Sequence, residues 1–373
     1  MTIDHSSTQR WMRDCISLAR RGGHAVEPNP MVGALVVREG VIIGRGWHKV
    51  YGGAHAEIHA LQAAGSGARG ATLVVTLEPC NHTGKTPPCT EAIMRAGIAH
   101  VVIGMRDPNP DVSGHGIERL QAAGITCTVG VLEDECRILN ERYVVNVTQH
   151  RPYVFLKIAQ TLDGFIAPQR GTSRWITSAE SRAQVHALRA GCDGILVGAG
   201  TVRKDDPSLN VRDAEGSSPR RIILSAALNL PSRAIVLNDA DRDRTIVVTS
   251  TRTARDRAAD VDRICKRGVH VLQIRPGSKG LLSLGTVLHA LYEQNIRTLM
   301  VEGGADVFSQ FLRESLIDRL DVFVAPKIIG SGETAFSGVR PMHMADASHW
   351  KLLSAIQRGA DMHLTLTPLL HDQ

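Results

Sequence analysis

Hydrophobic positions along the chain follow two periods. Trp11, Cys15, Leu18 and Ala19 recur at helical spacing ahead of Gly22-Gly23, which predicts an opening amphipathic helix. Residues 31–37 and 41–46 are apolar, β-rich runs joined by Arg38-Glu39-Gly40, a hairpin signal. Residues 71–77 and 100–105 read as further buried strands, and helical patterns at about 54–64, 89–96, 117–123 and 132–147 alternate with them. This alternation predicts a sheet covered by helices, with sites at the carboxyl ends of strands and at the helix N-termini that follow.

The pattern then restarts. Thr148-Gln149-His150-Arg151-Pro152 is polar and proline-terminated, so 148–152 reads as a linker between a domain at 1–147 and another at 153–373. Strands are expected at 153–159, 194–197, 221–224, 245–248, 269–274, 298–301 and 320–325, with helical patterns between them, again an α/β unit. A length of 373 residues supports this division, because it exceeds what one hydrophobic core usually organises.

Composition narrows the function classes. Aromatics are only 4% of residues, which argues against a platform that stacks nucleic-acid bases. The net charge of +6 comes from scattered arginines with no Lys/Arg block, so no nucleic-acid arm is expected. These arginines are either solvated surface or phosphate ligands for small substrates, which the planar guanidinium suits. Apolar runs such as 73–77 and 101–105 are strand-length, far short of the ~20 residues that span a bilayer, so no membrane role is expected. An odd count of seven cysteines and a polar stretch at residues 1–8, unlike a signal peptide, point to the reducing cytoplasm.

The candidate chemistry lies between His55 and Cys89. The chain reads His55-Ala56-Glu57 and later Glu78-Pro79-Cys80-Asn81-His82-Thr83-Gly84-Lys85-Thr86-Pro87-Pro88-Cys89. One imidazole and two thiolates make three zinc ligands and leave a fourth position open, the arrangement of catalytic rather than structural zinc. Residues two apart on a helix do not share a face, so His55 and Glu57 are expected at a helix start just after Gly52-Gly53, where the dipole favours the ionised Glu57. Cys89 follows Pro87-Pro88 at another expected helix start, which would stabilise its thiolate. Cys15, Cys127, Cys136, Cys192 and Cys265 read as small buried hydrophobes. Two competitors stand beside this reading: a closed structural site with His82 or His48 as fourth ligand, and a zinc protease on His55 and His59, for which Glu57 falls one place too late.

His-x-Glu followed by Pro-Cys is the signature of zinc deaminases. Base-acting members end in Cys-x-x-Cys, whereas eight residues separate Cys80 from Cys89 here, among them His82, Gly84 and Lys85. An enlarged cationic loop beside the metal suggests a substrate carrying a phosphate or a sugar. The run from Pro79 to Cys89 closely resembles the deaminase domain of the bifunctional riboflavin-biosynthesis deaminase/reductases, and Pro28-Asn29-Pro30-Met31-Val32-Gly33 and Gly46-Trp47-His48 match its upstream segments. That resemblance implies a cytidine-deaminase-like α/β/α sandwich with zinc on His55, Cys80 and Cys89. It also implies Glu57 as proton shuttle and pyrimidine contacts from Asn29, His48, His82 and Lys85.

In the second half, Gly198-Ala199-Gly200-Thr201 and Glu302-Gly303-Gly304-Ala305 each follow an expected strand. Glycines there let backbone N–H groups approach a phosphate, or simply make a tight turn. The Rossmann fingerprint is incomplete, since Arg203 stands where its third glycine belongs. Lys157, Thr161-Leu162-Asp163-Gly164, Ser173-Arg174-Trp175-Ile176-Thr177 and the stretch 203–212 resemble the reductase domain of the same family, which has a dihydrofolate-reductase-like α/β fold; the match runs from 151 to about 327 and is weak for the C-terminal strands. The resemblance implies that Ala159, Trp175, Thr201, Asp205, Ser225, Glu302, Gly303, Gly304 and Ala305 hold NADPH. It places Lys157, Ser173, Arg189, Leu209 and Arg212 on the substrate, the last four at its ribose phosphate, with Lys157 and Asp205 nearest the transferred charge. Plainer alternatives are Trp175 as a core residue and Arg189 as a solvated helix residue.

The expected function is therefore zinc-dependent deamination of 2,5-diamino-6-ribosylamino-4(3H)-pyrimidinone 5′-phosphate, followed by NADPH-dependent reduction of the ribosyl group to ribityl, giving 5-amino-6-ribitylamino-uracil phosphate. A homodimer is expected from the family and from the base rate for enzymes. The competing readings are a polynucleotide zinc deaminase with an appended nucleotide-binding module and a structural zinc protein with a nucleotide-sensing domain. Low aromatic content and long cysteine spacing weigh against the first, and Glu57 beside an open zinc position weighs against the second.

Overall fold

A computed structural model describes residues 5–110, 112–169, 175–277, 282–338 and 343–369. The chain divides into two compact units, Met1–His150 and Arg151–Gln373.

The first unit runs α1 (His5–Ala19), β1 (Gly33–Arg38), β2 (Val41–Trp47), α2 (Ala56–Ala64), β3 (Thr72–Leu77), α3 (Cys89–Ala96), β4 (His100–Met105), α4 (His115–Ala122), β5 (Thr126–Val129), α5 (Glu133–Leu139) and α6 (Glu141–Gln149). Among the described residues its sheet has the order β2-β1-β3-β4-β5, antiparallel at β1 and parallel from β3 onward. Strand residues alternate between faces. Ala34, Val36, Leu73 and Val75 pack with α2, α3 and α4, whereas Leu35, Val37 and Val74 pack with α1 and α5. Both faces are thus covered, as the α/β/α pattern predicts. A close approach seats α2 on the sheet: a Cβ at Gly46 would lie 2.2 Å from the Ala56 carbonyl oxygen. Glycine there lets the first turn of α2 lie directly against β2.

The helix expected over 132–147 is two helices. Asn140 breaks it at φ −114°, because its side chain accepts from the Met31 N–H at 2.8 Å and donates to the Met31 carbonyl at 3.0 Å. The segment expected to be a linker is divided as well. Thr148 and Gln149 finish α6, and the buried Arg151 belongs to the second unit, where it forms a bidentate pair with Asp318.

The second unit runs β6 (Tyr153–Thr161), β7 (Phe165–Pro168), α7 (Ala179–Ala190), β8 (Gly194–Gly198), α8 (Ala199–Asp205), β9 (Arg220–Leu224), β10 (Thr245–Ser250), α9 (Thr251–Asp256), α10 (Ala258–Cys265), β11 (His270–Ile274), α11 (Leu284–Glu293), β12 (Thr298–Gly303), α12 (Ala305–Arg313), β13 (Arg319–Ala325), β14 (Gly332–Thr334), β15 (Trp350–Arg358) and β16 (Asp361–Pro368). Its described sheet has the order β11-β10-β9-β8-β12-β6-β13-β16-β15. The strands from β11 to β13 are parallel, and β16 and β15 add an antiparallel hairpin. Both faces are again apolar: Leu196, Ile222 and Ile246 face one core, and Ile195, Ile223 and Val247 the other. A two-stranded ribbon pairs β7 with β14. No helix among the described residues is long and apolar enough to cross a membrane.

Candidate active sites

His55 is the N-cap of α2, with extended backbone at φ −75°, ψ 165°, so its ring takes a direction separate from the helix face. Glu57 follows in the first turn and is 3% exposed. Cys80 lies in the loop after β3, and Cys89 is the first residue of α3. These elements bring one ligand atom each from His55, Cys80 and Cys89 within 4.8 Å of one another. His55 Nδ1 lies 3.3 Å from Cys89 Sγ and 3.5 Å from Cys80 Sγ, while Nε2 lies 3.5 Å from Thr86 Oγ1. An outer partner of that kind fixes the ring of a metal-binding histidine.

The hydrogen bond from Cys89, aided by His55, pulls Cys80 down to about 4, while the same bond and burial push Cys89 up. The hydrogen bond to Cys80 raises His55, and burial raises Glu57 above the ordinary carboxyl range. Glu57 Oε2 is buried with no hydrogen-bond partner among the described residues. Nitrogen and sulfur donors with an orphaned carboxylate oxygen beside them fit Zn²⁺ and an open fourth position.

His48 is not the fourth ligand. Both its ring nitrogens are engaged, Nδ1 with the Ala54 carbonyl at 3.1 Å and Nε2 with Asn29 Nδ2 at 3.3 Å, and burial lowers its pKa. A neutral ring that donates from Nδ1 and accepts at Nε2 satisfies both contacts. Neither His59 nor His82 joins the ligand cluster among the described residues.

A cavity of about 320 Å³ opens over this cluster, lined by Asn29, His48, His82 and Lys85 together with His55, Glu57 and Cys80. The structure also places Glu78, Asp107, Asn109 and Tyr143 there, which the sequence reading did not single out. Glu78 accepts four backbone N–H groups, from Asp107, Gly114, Gly116 and Ile117, at 3.0 to 3.2 Å. It ties the loop before α4 to the strand end that carries Cys80. Asp107 accepts from Tyr143 Oη at 3.0 Å and from the Asn109 N–H at 2.9 Å, and burial raises its pKa. Its signal was available, since Asp107 follows the carboxyl end of β4, where sites in such sheets gather.

In the second unit a cavity of about 700 Å³ lies at the carboxyl ends of β6, β8 and β12. Lys157, Ala159, Thr201, Asp205, Glu302, Gly303, Gly304 and Ala305 line it, as do Lys204 and Glu333, which form an ion pair at 2.9 Å. Glu302 ends β12, and Gly304, at φ +86°, is the N-cap of α12, whose first backbone N–H groups carry no side-chain cap. Burial works against the Glu302 charge, but Arg189 and Lys157 hold its carboxyl below the ordinary range. Burial pushes Lys157 down.

Several residues expected at this site do not line this cavity. Arg189 is not a solvated helix residue, because its guanidinium pairs with Glu302 and with the Asn210 carbonyl. Leu209 is 3% exposed and packs in the core. Arg212 is bound to Ser208 and Asn210 of its own loop. Trp175 is 62% exposed, so it is not core, and the Arg182 guanidinium lies 4.6 Å from its ring centroid. Ser225 is buried at the end of β9 with its hydroxyl unpartnered. None of these five lines the cavity. Ser173 lies outside the described residues. All seven cysteines are free thiols, but Cys265 is exposed and Cys127 and Cys192 are half-buried, so only Cys15 and Cys136 of the five behave as buried hydrophobes.

The two units match two family models. Residues 5–105 match the cytidine and deoxycytidylate deaminase zinc-binding region, and residues 152–364 match the RibD C-terminal domain. The chain is 48% identical over 325 residues to riboflavin biosynthesis protein RibD of Aquifex aeolicus, covering 87% of this chain and 88% of that protein. It is 38% identical to the Escherichia coli RibD over 360 residues, 95% of this chain and 98% of that one. The structure of Acinetobacter baumannii RibD matches with a TM-score of 0.81 at 37% identity, covering 98% of this chain and all of that one. A Thermotoga maritima diaminohydroxyphosphoribosylaminopyrimidine deaminase/5-amino-6-(5-phosphoribosylamino)uracil reductase matches with a TM-score of 0.78 at 40% identity, covering 98% and 99%. The likeness thus extends over nearly the whole length of these relatives, and the chain belongs to the RibD family of bifunctional deaminase/reductases of riboflavin biosynthesis.

Proposed function

We propose that the first unit deaminates 2,5-diamino-6-ribosylamino-4(3H)-pyrimidinone 5′-phosphate and that the second reduces the ribosyl group of the product to ribityl with NADPH. The observation that carries the first step is Glu57 Oε2, buried and unpartnered beside the His55, Cys80 and Cys89 ligand atoms. Bound zinc supplies Lewis acidity that brings a water molecule's pKa toward neutrality. Glu57 accepts the proton of that water as it adds to the amine-bearing ring carbon. Glu57 delivers that proton to the ring and then moves the second proton, from the added hydroxyl, to the leaving amine, so that water is consumed, ammonia departs and a carbonyl remains. Asn29, His48, His82 and Lys85 are assigned to the pyrimidine and its substituents on their place in the cavity wall.

For the second step, the cleft along Ala159, Thr201, Asp205 and the Glu302–Ala305 turn would hold NADPH, with backbone N–H groups of the turn toward its phosphates. NADPH supplies the hydride. Lys157 and Asp205 are assigned to polarising the sugar as the ring opens, on their shared position in that cavity. Trp175, Ser225, Ser173, Leu209, Arg212 and Arg189 keep proposed cofactor or substrate roles from the resemblance alone; for Arg189, its pairing with Glu302 supports a role through that carboxylate.

The reducing cytoplasm is retained as the compartment, a reading that seven free thiols support. A homodimer is proposed as well. The exposed Leu352, Leu353, Ile356 and Met362 of the β15–β16 hairpin are apolar surface for it, and sedimentation of the purified protein tests it.

A coupled assay tests the reading. Ammonia release from the phosphorylated diaminopyrimidine, followed by NADPH oxidation in the same reaction, supports it. Activity in neither step would leave the family likeness as likeness of fold.

A further inference from the structure

Lys85 sits in the exposed insert between the two cysteine ligands. Its ammonium is nonetheless placed. Lys85 Nζ lies 3.9 Å from the centroid of the Tyr51 ring. Beneath the stem is Gly52, at φ +77°, where an added Cβ would stand 3.2 Å from Lys85 Cδ and 3.7 Å from Nζ. The platform is itself fixed, because the Tyr51 N–H donates to the Ala25 carbonyl at 2.9 Å and the Gly53 N–H closes a turn on Val50. Tyr51, Gly52 and Lys85 all line the deaminase cavity.

We propose that Tyr51 is a positioning residue for deamination: its ring face, with Gly52 beneath the stem, aims the Lys85 ammonium at an anionic group of the substrate. The kind of contact matters. A carboxylate partner would fix Lys85 equally well, but it would neutralise the ammonium and compete with an anion. Among the described residues Lys85 makes no ion pair. An aromatic face attracts the cation through its quadrupole and leaves the positive charge in place for a ligand. Tyr51 is 45% exposed, so a ring that contributes little to the core is kept at the cavity rim. The inference rests on the reading of Lys85 as a substrate contact.

The test is a double-mutant cycle on ammonia release by the zinc-loaded full chain, with zinc content measured for each variant. Tyr51→Leu is expected to raise KM about two- to fivefold, the loss of one exposed cation–π contact, with kcat unchanged. Tyr51→Phe and Tyr51→Trp keep a ring face and are expected to stay near the wild-type KM. Lys85→Ala is expected to raise KM further, and adding Tyr51→Leu to it is expected to cost nothing more. An additive double mutant, or a Tyr51→Phe variant as impaired as Tyr51→Leu, overturns the proposal. If Lys85→Ala raises KM while Tyr51→Leu is silent, the positioning role alone fails. If Lys85→Ala is itself silent, the substrate role of Lys85 fails and the positioning role falls with it.

Discussion

Arg189 and Glu302 meet through two parallel hydrogen bonds inside the second unit, Nη2 to Oε2 at 2.7 Å and Nε to Oε1 beside it. The pair links α7 to the end of β12, across 113 residues of chain, and Lys157 of β6 faces the same carboxylate. Removing one partner of a buried pair leaves the other charge uncompensated. Arg189→Met is accordingly expected to lower stability by about 3–5 kcal/mol, read from the urea midpoint. Arg189→Met with Glu302→Gln is expected to recover much of that loss. If the single mutant is as stable as wild type, the pair is not the anchor described.

The same pair sets a pH dependence. Unfolded, the Glu302 carboxyl titrates near its ordinary 4.5, and folded it titrates lower. Its stabilisation is then fully present above 4.5 and is lost as pH falls through the folded value. Acidification below 4.5 should therefore destabilise the wild type more steeply than Glu302→Gln. Parallel profiles would show that Glu302 does not titrate low.

Chelation separates the two activities. The three ligands all belong to the first unit, and no residue lining the second cavity is among them. Prolonged treatment with a strong chelator should abolish ammonia release while NADPH oxidation on the already deaminated intermediate continues. Restoring Zn²⁺ should return the first activity. Loss of both activities on chelation contradicts the assignment of zinc to deamination alone.

Gly116 supports the zinc site from behind. A Cβ there would lie 2.0 Å from the Pro79 carbonyl oxygen, and Pro79 directly precedes the ligand Cys80. Backbone must move to admit it, so Gly116→Ala should cost about 1–3 kcal/mol and lower zinc occupancy. Full occupancy at unchanged stability would show that the Glu78–Gly116 junction does not hold Cys80.

Much of this was legible in the chain because local signals and global fold agree. Pro87-Pro88 ahead of Cys89 marked the start of α3, and Gly52-Gly53 preceded His55 at the start of α2. Apolar runs over 71–77 and 100–105 gave β3 and β4, whose carboxyl ends carry the site. What stayed hidden was set by distant partners. Asn140 cut a continuous helical pattern because Met31, 109 residues away, takes its amide. Arg189, placed at the ribose phosphate by the resemblance, sits in a helix whose sequence gave no hint of its pairing with Glu302. The strands β7, β14 and β5 are short and carry weak alternation, and partly exposed edges such as Thr126 to Val129 leave little apolar pattern to read. Glu78 gave a weak cue as well, because a carboxylate that collects four backbone N–H groups acts through turns the sequence does not place.

The central claim is that Glu57 carries the proton at a zinc site built by His55, Cys80 and Cys89. Its most direct test is ammonia release by Glu57→Gln, a substitution that preserves shape and removes the proton acceptor. The account predicts that the variant keeps one zinc per chain and its NADPH-dependent activity, while deaminase turnover falls by about 10²- to 10⁴-fold. Full deaminase turnover with zinc bound would contradict it.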